Sequence, residues 1–338
     1  MINDETLSRK QMMLTSAMGP VIAAALADRR VVEIMVNPDG ALRLDRLGEG
    51  CVDTGITIES GQVERIIRLV ASHIGREVSA DNPVLSAELP TYARQSAGER
   101  FEAILPPVAT APCFSIRKAA SRIYTLADYV ADAVMTQRLA ERLREAVGAR
   151  QNILVAGGTS SGKTTLANAL LAEMATRGER IILIEDTREL QCAAPDCVAL
   201  RTRPGTVSMA DLVRSTLRLR PDRIIVGEVR GVEALDMLKS WNTGHPGGIA
   251  TVHANSARGA LYRLEQLVQE ASVHIPKRLI AEAIDIIVFI AGRGLARRVE
   301  GLAEVSGLDA NGDYLVADLF TAPCASPSPI PTQEGDVS

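Results

Sequence analysis

Short apolar runs and one amphipathic helix make up the first third of the chain. Two apolar runs flank an NPDG turn within residues 31–48, a pattern that predicts a β-hairpin. Residues 59–75 predict a helix ending at Gly75, because apolar side chains recur at helical spacing, at Val63, Ile66, Ile67 and Val70. Further short strands are predicted in LSAELP, ERFEAILPP and CFSIRK. We therefore expect residues 1–120 to form a small α+β domain.

The pattern changes at residue 151, where longer apolar runs begin to alternate with helical stretches. The apolar runs are NILVAGG, RIILIEDT, RIIVGEV and GIATVHA. Continuous apolar runs are typical of strands buried on both faces, and their alternation with helices predicts an α/β fold with a largely parallel sheet. This second domain is expected to span residues 151–320.

Two other segments border the second domain. Residues 121–150 begin with a polar, irregular stretch and resume a helical period at 126–147, which predicts a linker followed by a helix. The final segment, residues 321–338, is rich in Pro and Ser, so it is predicted to be a disordered tail.

Composition narrows the function classes. Hydrophobic residues make up 46% of the 338 residues and charged residues 23%, which is ordinary for a soluble globular protein. The net charge of −4 and an aromatic content of 3% argue against direct nucleic-acid binding. No apolar run approaches the roughly 20 residues of a membrane span. If the protein works at a membrane, we therefore expect it to do so from the surface.

The five cysteines are odd in number and form no CxxC pair, which favours free thiols in a reducing compartment. Cys192 and Cys197 offer half of a metal site, but buried or incidental thiols are the favoured interpretation. The N-terminus lacks the long apolar region of a secretory signal.

Residues 152–178 carry the most informative motif in the chain. An apolar strand runs into the pattern G-x-x-x-x-G-K-T at 157–164, and an amphipathic helix follows. Glycines let consecutive backbone N–H groups point at phosphate oxygens, and a helix N-terminus adds partial positive charge. Lys163 is expected to neutralise the β- and γ-phosphates, and the Thr164 hydroxyl to bind Mg²⁺. The predicted phosphate-binding residues are Gly157, Gly158, Thr159, Ser160, Ser161, Gly162, Lys163, Thr164 and Thr165.

A competing motif overlaps the same residues. The segment GTSSG at 158–162 also fits G-x-S-x-G, the nucleophile elbow of α/β-hydrolases. Ser160 would then be the nucleophile, Asp186 or Glu228 the acid, and His253 the base. This shorter motif leaves Lys163 and Thr164 unexplained, so a phosphate-binding loop is the favoured interpretation.

Carboxylates follow two of the predicted strands. Glu185 and Asp186 end one strand and Glu228 ends another, at the edge where doubly wound sheets bind ligands. Hydrolysis of a phosphoanhydride needs a carboxylate near Mg²⁺ and another that orients water. Since Gly227 occupies the position where many P-loop enzymes carry Asp, Glu228 is expected on the Mg²⁺ side, acting through water, with Glu185 as base. The sequence leaves open which of the two glutamates is the base.

Four ordered blocks, GGTSSGKT, IEDTREL, RPDRIIVGEVRG and GHPGGIATVHANS, resemble the Walker A, Asp box, Walker B and His box of the secretion ATPase family. These blocks cover roughly residues 151–256. ERFEAILPPV, FSIRK and TLADYV are similar to the N-terminal domain of conjugal-transfer ATPases of the TrbB kind. The tetracysteine insert of many type II members is missing, which favours the type IV secretion branch.

The resemblance implies a RecA-like P-loop ATPase domain behind a smaller N-terminal domain, assembled as a homohexameric ring at the cytoplasmic face of the inner membrane. ATP and Mg²⁺ would be its substrate and cofactor, with other components of a conjugation machine as partners. The absence of an NKxD motif is consistent with adenine rather than guanine nucleotide. Type IV pilus assembly or retraction, a nucleic-acid-dependent RecA-type motor and a slowly hydrolysing scaffold remain alternatives.

The family resemblance also implies roles for individual residues. His253 would sense the γ-phosphate or relay the nucleotide state across the subunit, and a cation would complete the site by stabilising charge on that phosphate. Arg117 in FSIRK is the first candidate for the cation, followed by Arg203, Arg218 and Arg220. A zinc site at His245 and His253 is disfavoured because too few ligands lie nearby in the sequence.

Overall fold

The computed structural model describes residues 4–90, 98–119, 123–203 and 205–321. Within them, the chain forms two sheets that follow one another in sequence. The first sheet and its helices comprise α1 (Asp4–Ala27), β1 (Val31–Val36), β2 (Ala41–Arg46), β3 (Gly50–Thr57), α2 (Ser60–His73), β4 (Val84–Glu88), β5 (Arg100–Ile104) and β6 (Cys113–Arg117).

The first sheet is antiparallel throughout, with strand order β3-β2-β1-β6-β5-β4. The predicted hairpin is β1 and β2, and its turn contains Gly40 at φ +79°. Helices α1 and α2 pack together, and their apolar faces close one core with the sheet. The predicted helix is α2, and Gly75 lies just beyond its end at φ +68°.

Side chains of β5 and β6 alternate between the two faces of the first sheet. Phe101 and Phe114 point into the core and stack with ring centroids 5.3 Å apart. Arg100 and Arg117, which are paired across these strands, share the opposite face. The alternation of apolar and polar residues therefore places two arginines side by side, away from the core.

The stretch predicted as one helix at 126–147 is instead two helices, α3 (Leu126–Ala131) and α4 (Gln137–Gly148). The chain turns between them at Ala133, with φ +54°, and restarts at Thr136, whose hydroxyl accepts a hydrogen bond from the N–H of Leu139. The apolar period continues across this break because both helices bury side chains in the same core. Hydrophobic periodicity alone could not distinguish the two cases.

The second sheet begins after α4 and includes strands and helices in alternation, as predicted. Its elements are β7 (Ile153–Gly157), α5 (Lys163–Met174), β8 (Ile181–Glu185), β9 (Cys197–Arg201), α6 (Met209–Thr216), β10 (Arg223–Val226), α7 (Glu233–Asn242), β11 (Ile249–His253), α8 (Ala257–Gln269), α9 (Lys277–Ala283), β12 (Ile286–Ala291), a 3₁₀ turn (Gly294–Ala296), β13 (Arg298–Leu308) and β14 (Tyr314–Thr321).

The second sheet has strand order β14-β13-β12-β7-β11-β10-β8-β9, and the six strands from β12 to β9 are parallel. Strands β13 and β14 extend it as antiparallel neighbours. The central strands are buried along their full length because separate hydrophobic cores cover the two faces of the sheet. The α/β fold with a largely parallel sheet is confirmed.

Helix α1 was not predicted from the sequence. It is bent at Gly19, with φ +71°, and Pro20, which interrupt its regular geometry. Its buried residues recur at helical spacing on each side of that bend, at Leu14, Ala17 and Met18 before it and at Ile22 and Ala25 after it. Apart from Thr321, which ends β14, the predicted disordered tail at 321–338 lies outside the described residues.

Candidate functional site at the phosphate loop

The predicted phosphate loop connects β7 to α5 at the centre of the second sheet. Gly157 ends β7, residues 158–162 form the loop, and Lys163, Thr164 and Thr165 begin α5. A Cβ at Gly157 would lie 2.3 Å from the carbonyl oxygen of Ile290, so only glycine fits there. Gly162 caps α5 with φ +97° and offers no side-chain acceptor to the first N–H groups of the helix. The loop therefore ends on a helix N-terminus suited to an anion.

The other loop residues differ in exposure. Gly158, Thr159 and Ser160 are exposed, whereas Ser161 is buried and its hydroxyl has no hydrogen-bond partner among the described residues. Ser160 adopts φ +61°, which a side-chain-bearing residue rarely does. The exposed loop backbone is accessible to a ligand.

Lys163 is folded back over this loop. Its ammonium donates to the carbonyl of Gly158 at 3.0 Å and lies 3.3 and 3.4 Å from the two ring nitrogens of His253. Burial lowers the pKa of Lys163, an effect partly offset by the negative charge of Glu228. A phosphate that enters the loop would supply a negatively charged acceptor for the ammonium of this buried lysine.

His253 reaches the loop because β11 is the immediate neighbour of β7. The last pair in their parallel register joins His253 to Gly157, the first glycine of the motif. The Nε2 atom of His253 lies 2.8 Å from Oε1 of Glu228. Burial and the charge of Lys163 lower the pKa of His253, which therefore favours the neutral ring at physiological pH.

Glu228 is part of a charged cluster next to the lysine. Arg230 donates to its other carboxylate oxygen at 2.6 Å. Burial alone would raise the pKa of Glu228, but Arg230, His253 and Lys163 together lower it below the usual value. Glu228 is thus held as an anion.

Glu185 has a different environment on the neighbouring strand β8. It is 4% exposed, and Oε1 accepts hydrogen bonds from the N–H groups of Glu189 at 2.9 Å and Leu190 at 2.7 Å. Burial raises its pKa to about 7, against the lowering effect of those two hydrogen bonds. The two strand-end glutamates therefore differ in charge behaviour: one is a fixed anion and the other titrates near neutrality.

Gly227 makes the close packing of these strands possible. A Cβ at this position would lie 2.9 Å from Cγ of Glu185. The aspartate that many P-loop enzymes carry here cannot be accommodated while Glu185 keeps its position. This is a physical reason for the glycine found in the sequence.

A pocket joins these groups to the first sheet. It is lined by Arg100, Thr164, Glu185, Asp186, Thr187, Glu189, Met209, Gly227, Glu228 and Arg230. Arg100 comes from β5, so the face of the first sheet that carries the two arginines is turned toward the loop. Arg117 contributes positive charge at Lys163. The other candidate arginines, Arg203, Arg218 and Arg220, are exposed and do not line this pocket.

Glu189 and Arg100 are among the pocket residues that were not predicted from the sequence. Glu189 accepts a hydrogen bond from the Thr164 hydroxyl at 3.2 Å, and its only sequence signal was its place four residues after Glu185. Arg100 could have been found from its pairing with Arg117, but that requires the register of two strands. Asp186 accepts a hydrogen bond from Thr202 at 2.8 Å.

The alternative sites receive no support from the geometry. His253 lies against Lys163 and Glu228, and within the described residues Ser160 is not a hydrogen-bond partner of His253. His253 ends β11, whereas His245 lies in the loop before that strand begins, so the strand separates the two histidines. Across the described ranges, no three His, Cys, Asp or Glu side chains are grouped to hold a metal by themselves.

The fold and the site together define a RecA-like P-loop NTPase domain that follows a smaller α+β domain. The chain belongs to the family of Type II/IV secretion system proteins, which matches residues 57–305. This assignment sets the α/β-hydrolase alternative aside.

Individual relatives agree with the family. The chain is 48% identical over 296 residues to the conjugal transfer protein TrbB of Rhizobium radiobacter, covering 87% of this chain and 90% of that protein. It is 31% identical over 331 residues to the type IV secretion system protein VirB11 of Bartonella quintana, covering 84% and 89%. The solved structure of the pilus retraction motor PilT with bound ADP has the same fold, with a TM-score of 0.60, 19% identity and coverage of 90% and 83%.

Proposed function

We propose that this protein is an ATP-hydrolysing motor of a type IV secretion or conjugal-transfer apparatus. The observation that carries the proposal is the position of His253 at the phosphate loop, where one ring nitrogen lies 3.3 Å from the Lys163 ammonium and Nε2 lies 2.8 Å from the Glu228 carboxylate. The similarity to conjugal transfer proteins over most of the chain supports the biological setting. The family and its ATPase motifs support hydrolysis of a nucleoside triphosphate.

Magnesium is the metal that this pocket suits best. The Thr164 hydroxyl at the start of α5 and the carboxylates of Glu189 and Glu228 offer the hard oxygen ligands that Mg²⁺ prefers. With so few protein ligands, phosphate oxygens and water would complete the coordination. Bound there, Mg²⁺ would supply Lewis-acid stabilisation of phosphate charge.

We assign the role of general base to Glu185 and a charge-positioning role to Glu228. A base must accept a proton near neutral pH, and a pKa of about 7 suits Glu185 to this task. Glu228 is held as an anion by Arg230, contacts His253 at 2.8 Å, and acts on Lys163 through its negative charge. Its position next to the loop suits contact with a metal through water.

The γ-phosphate would be contacted by His253 and by the arginines of the first sheet. A neutral His253 whose Nδ1 accepts from Lys163 carries its proton on Nε2, which faces Glu228 at 2.8 Å, and a γ-phosphate oxygen would compete with Glu228 for that N–H. Arg117 and Arg100 approach from the opposite domain. Positive charge there would stabilise charge developing on the transferred phosphate.

The proposal includes assembly as a ring, a hexamer by analogy with the family, docked on the cytoplasmic face of the inner membrane and working with other components of the machine. In the described part of the chain, no helix has both the length and the apolar character to cross a bilayer. A docked position would therefore depend on protein partners or on peripheral contact.

Two substitutions test the hydrolytic function. Lys163→Ala should abolish nucleotide binding or turnover, because it removes the cation of the loop. Glu228→Gln should keep ATP binding and lower turnover by at least about a hundredfold, since the charged cluster loses its anion. Both are measured by ATP binding and by phosphate release with Mg²⁺ present.

Lys239→Ala, which removes an exposed lysine near the end of α7, is the matched control and should behave as wild type. Phosphate release by Glu228→Gln at the wild-type rate would remove Glu228 from the mechanism. Wild-type turnover by Lys163→Ala would contradict the proposed function itself.

A further inference from the structure

Arg297 lies beside the phosphate loop and is not among the residues that line the pocket of Glu185 and Glu228. It is placed between the 3₁₀ turn Gly294–Ala296 and strand β13, in the connection that follows β12. Its backbone N–H donates to Gly294 at 3.3 Å, which closes that turn. The side chain is half-buried.

The guanidinium of Arg297 packs directly on the loop backbone. A Cβ built on Gly162 would lie 2.7 Å from Nε, 2.9 Å from Cζ and 3.1 Å from Cδ of Arg297. Gly162 is the residue that caps α5, immediately before Lys163. The missing side chain at Gly162 therefore gives room to an arginine as well as allowing the positive φ.

Among the described residues, none accepts a hydrogen bond from this arginine. Its Nε is buried and lacks a hydrogen-bond partner, and no ion pair involves it within the ranges that the structure describes. The next residue, Arg298, is exposed and lies 3.4 Å from the carboxylate of Glu300. A cationic group that is partly desolvated without a carboxylate is costly unless a ligand supplies the negative charge.

Arg297 acts electrostatically on an aromatic residue, Tyr129. Burial raises the pKa of Tyr129, and the positive charge of Arg297 opposes that rise, which places the two side chains near each other. The Tyr129 hydroxyl is itself buried without a partner among the described residues. A tyrosine hydroxyl cannot neutralise the guanidinium, so the local environment leaves the positive charge of Arg297 uncompensated.

The strand order indicates which part of a nucleotide Arg297 would meet. Strands β11, β10 and β8, which carry His253, Glu228 and Glu185 at or just beyond their ends, all lie on one side of β7. Arg297 follows β12, which flanks β7 on the other side. The reacting γ-phosphate is expected to lie near the carboxylates of Glu185 and Glu228. The α- and β-phosphates would then lie farther along the loop, toward β12.

We propose that Arg297 binds the α- and β-phosphates of the nucleotide, and this inference rests on the proposed nucleotide-hydrolysing function. A guanidinium can donate two parallel N–H bonds to phosphate oxygens, which an ammonium cannot. Arg297 would thus hold the part of the ligand that ADP and ATP share. It is a binding residue and takes no part in the proton transfer.

The test compares ADP and ATP affinities of Arg297→Ala with those of wild type, by titration calorimetry. Both affinities are expected to fall by the same factor, about ten- to hundredfold, the range for one lost charge-assisted contact. Turnover at saturating ATP should change much less than KM. Arg297→Lys keeps the charge without the planar guanidinium, so its nucleotide affinities should lie between those of wild type and Arg297→Ala. It also provides a second variant if the alanine variant does not fold.

Arg298→Ala is the matched control and should bind both nucleotides as wild type does. The melting temperature without nucleotide separates folding from binding: only the increase produced by ADP should shrink in Arg297→Ala. Wild-type ADP affinity in the folded variants would overturn the inference, and so would loss of ATP affinity with ADP affinity unchanged. Failure of the wild-type chain to bind ADP would overturn the proposed function as well.

Discussion

At the scale of single residues, the two strand-end glutamates of the site, Glu228 and Glu185, lie in environments that shift their pKa values in opposite directions. Glu228 is anionic because Arg230 and Lys163 lie near it, whereas Glu185 is buried and accepts hydrogen bonds from two backbone donors. Both were predicted from their position at strand ends. The sequence left open which of the two is the base, because burial and hydrogen-bond partners depend on neighbouring strands that the sequence order does not specify.

Glu185→Gln should lower the turnover of the enzyme and raise its stability at alkaline pH. Since the folded-state pKa of Glu185 is raised from 4.5 to about 7, folding favours its protonated form. The stabilisation is complete below pH 4.5 and is lost as the pH rises through 7. The neutral glutamine should therefore make the protein more stable than wild type at pH 8.5, by roughly 2–3 kcal/mol, with the difference vanishing toward pH 4.5.

Denaturant unfolding across this pH range measures the stability effect, and phosphate release measures activity. Glu185→Gln should lose most of its turnover, and kcat/KM of the wild type should fall as the pH drops below about 7. A wild-type rate with unchanged stability at pH 8.5 would show that Glu185 is neither the base nor a titrating buried group.

At the scale of elements, the sequence predicted a helix or strand best where its pattern of apolar residues is typical of a single structural environment. The central strands were predicted because both of their faces are buried, and the phosphate loop because its glycines follow such a strand. The break between α3 and α4 was hidden since both helices bury into one core. Arg297 was hidden for another reason: it is 134 positions after Lys163 (297 − 163) and reaches the loop only through the pairing of β12 with β7.

Gly227→Ala tests how closely β8 and β10 must pack. The added Cβ would meet Cγ of Glu185 at 2.9 Å, so the carboxylate must move away from the N–H groups of Glu189 and Leu190. We expect a loss of stability of about 1–3 kcal/mol and reduced turnover, with ATP binding retained. Denaturant unfolding and phosphate release measure the two effects.

Gly61→Ala is the control, because a Cβ at this α2 residue meets no atom within 4 Å. It should leave turnover unchanged and leave stability equal or slightly higher, as expected for alanine in a helix. Equal turnover and stability in Gly227→Ala and wild type would contradict the packing argument for this glycine.

At the scale of the whole molecule, the two sheets meet at the pocket. Glu88, at the end of β4, is 2.5 Å from the guanidinium of Arg201 and accepts a hydrogen bond from the N–H of Arg188 at 3.2 Å. This contact fixes the β4–β5 edge against the segment that follows Glu185. Arg100, at the start of β5, consequently lines the same pocket as Thr164 and Glu228.

Arg100→Ala should therefore reduce catalysis without unfolding the protein. Arg100 is on the face of the first sheet opposite its core, so its removal should change stability by no more than about 0.5 kcal/mol. Loss of the cation that we propose to contact the γ-phosphate should lower turnover at least about tenfold and leave ADP affinity nearly unchanged. The control is Arg76→Ala, an exposed arginine after α2 on the same domain. Because Arg297→Ala is expected to weaken ADP and ATP equally, the two arginine variants should show opposite patterns. An Arg100→Ala enzyme with wild-type turnover would mean that the first domain supports the pocket only structurally.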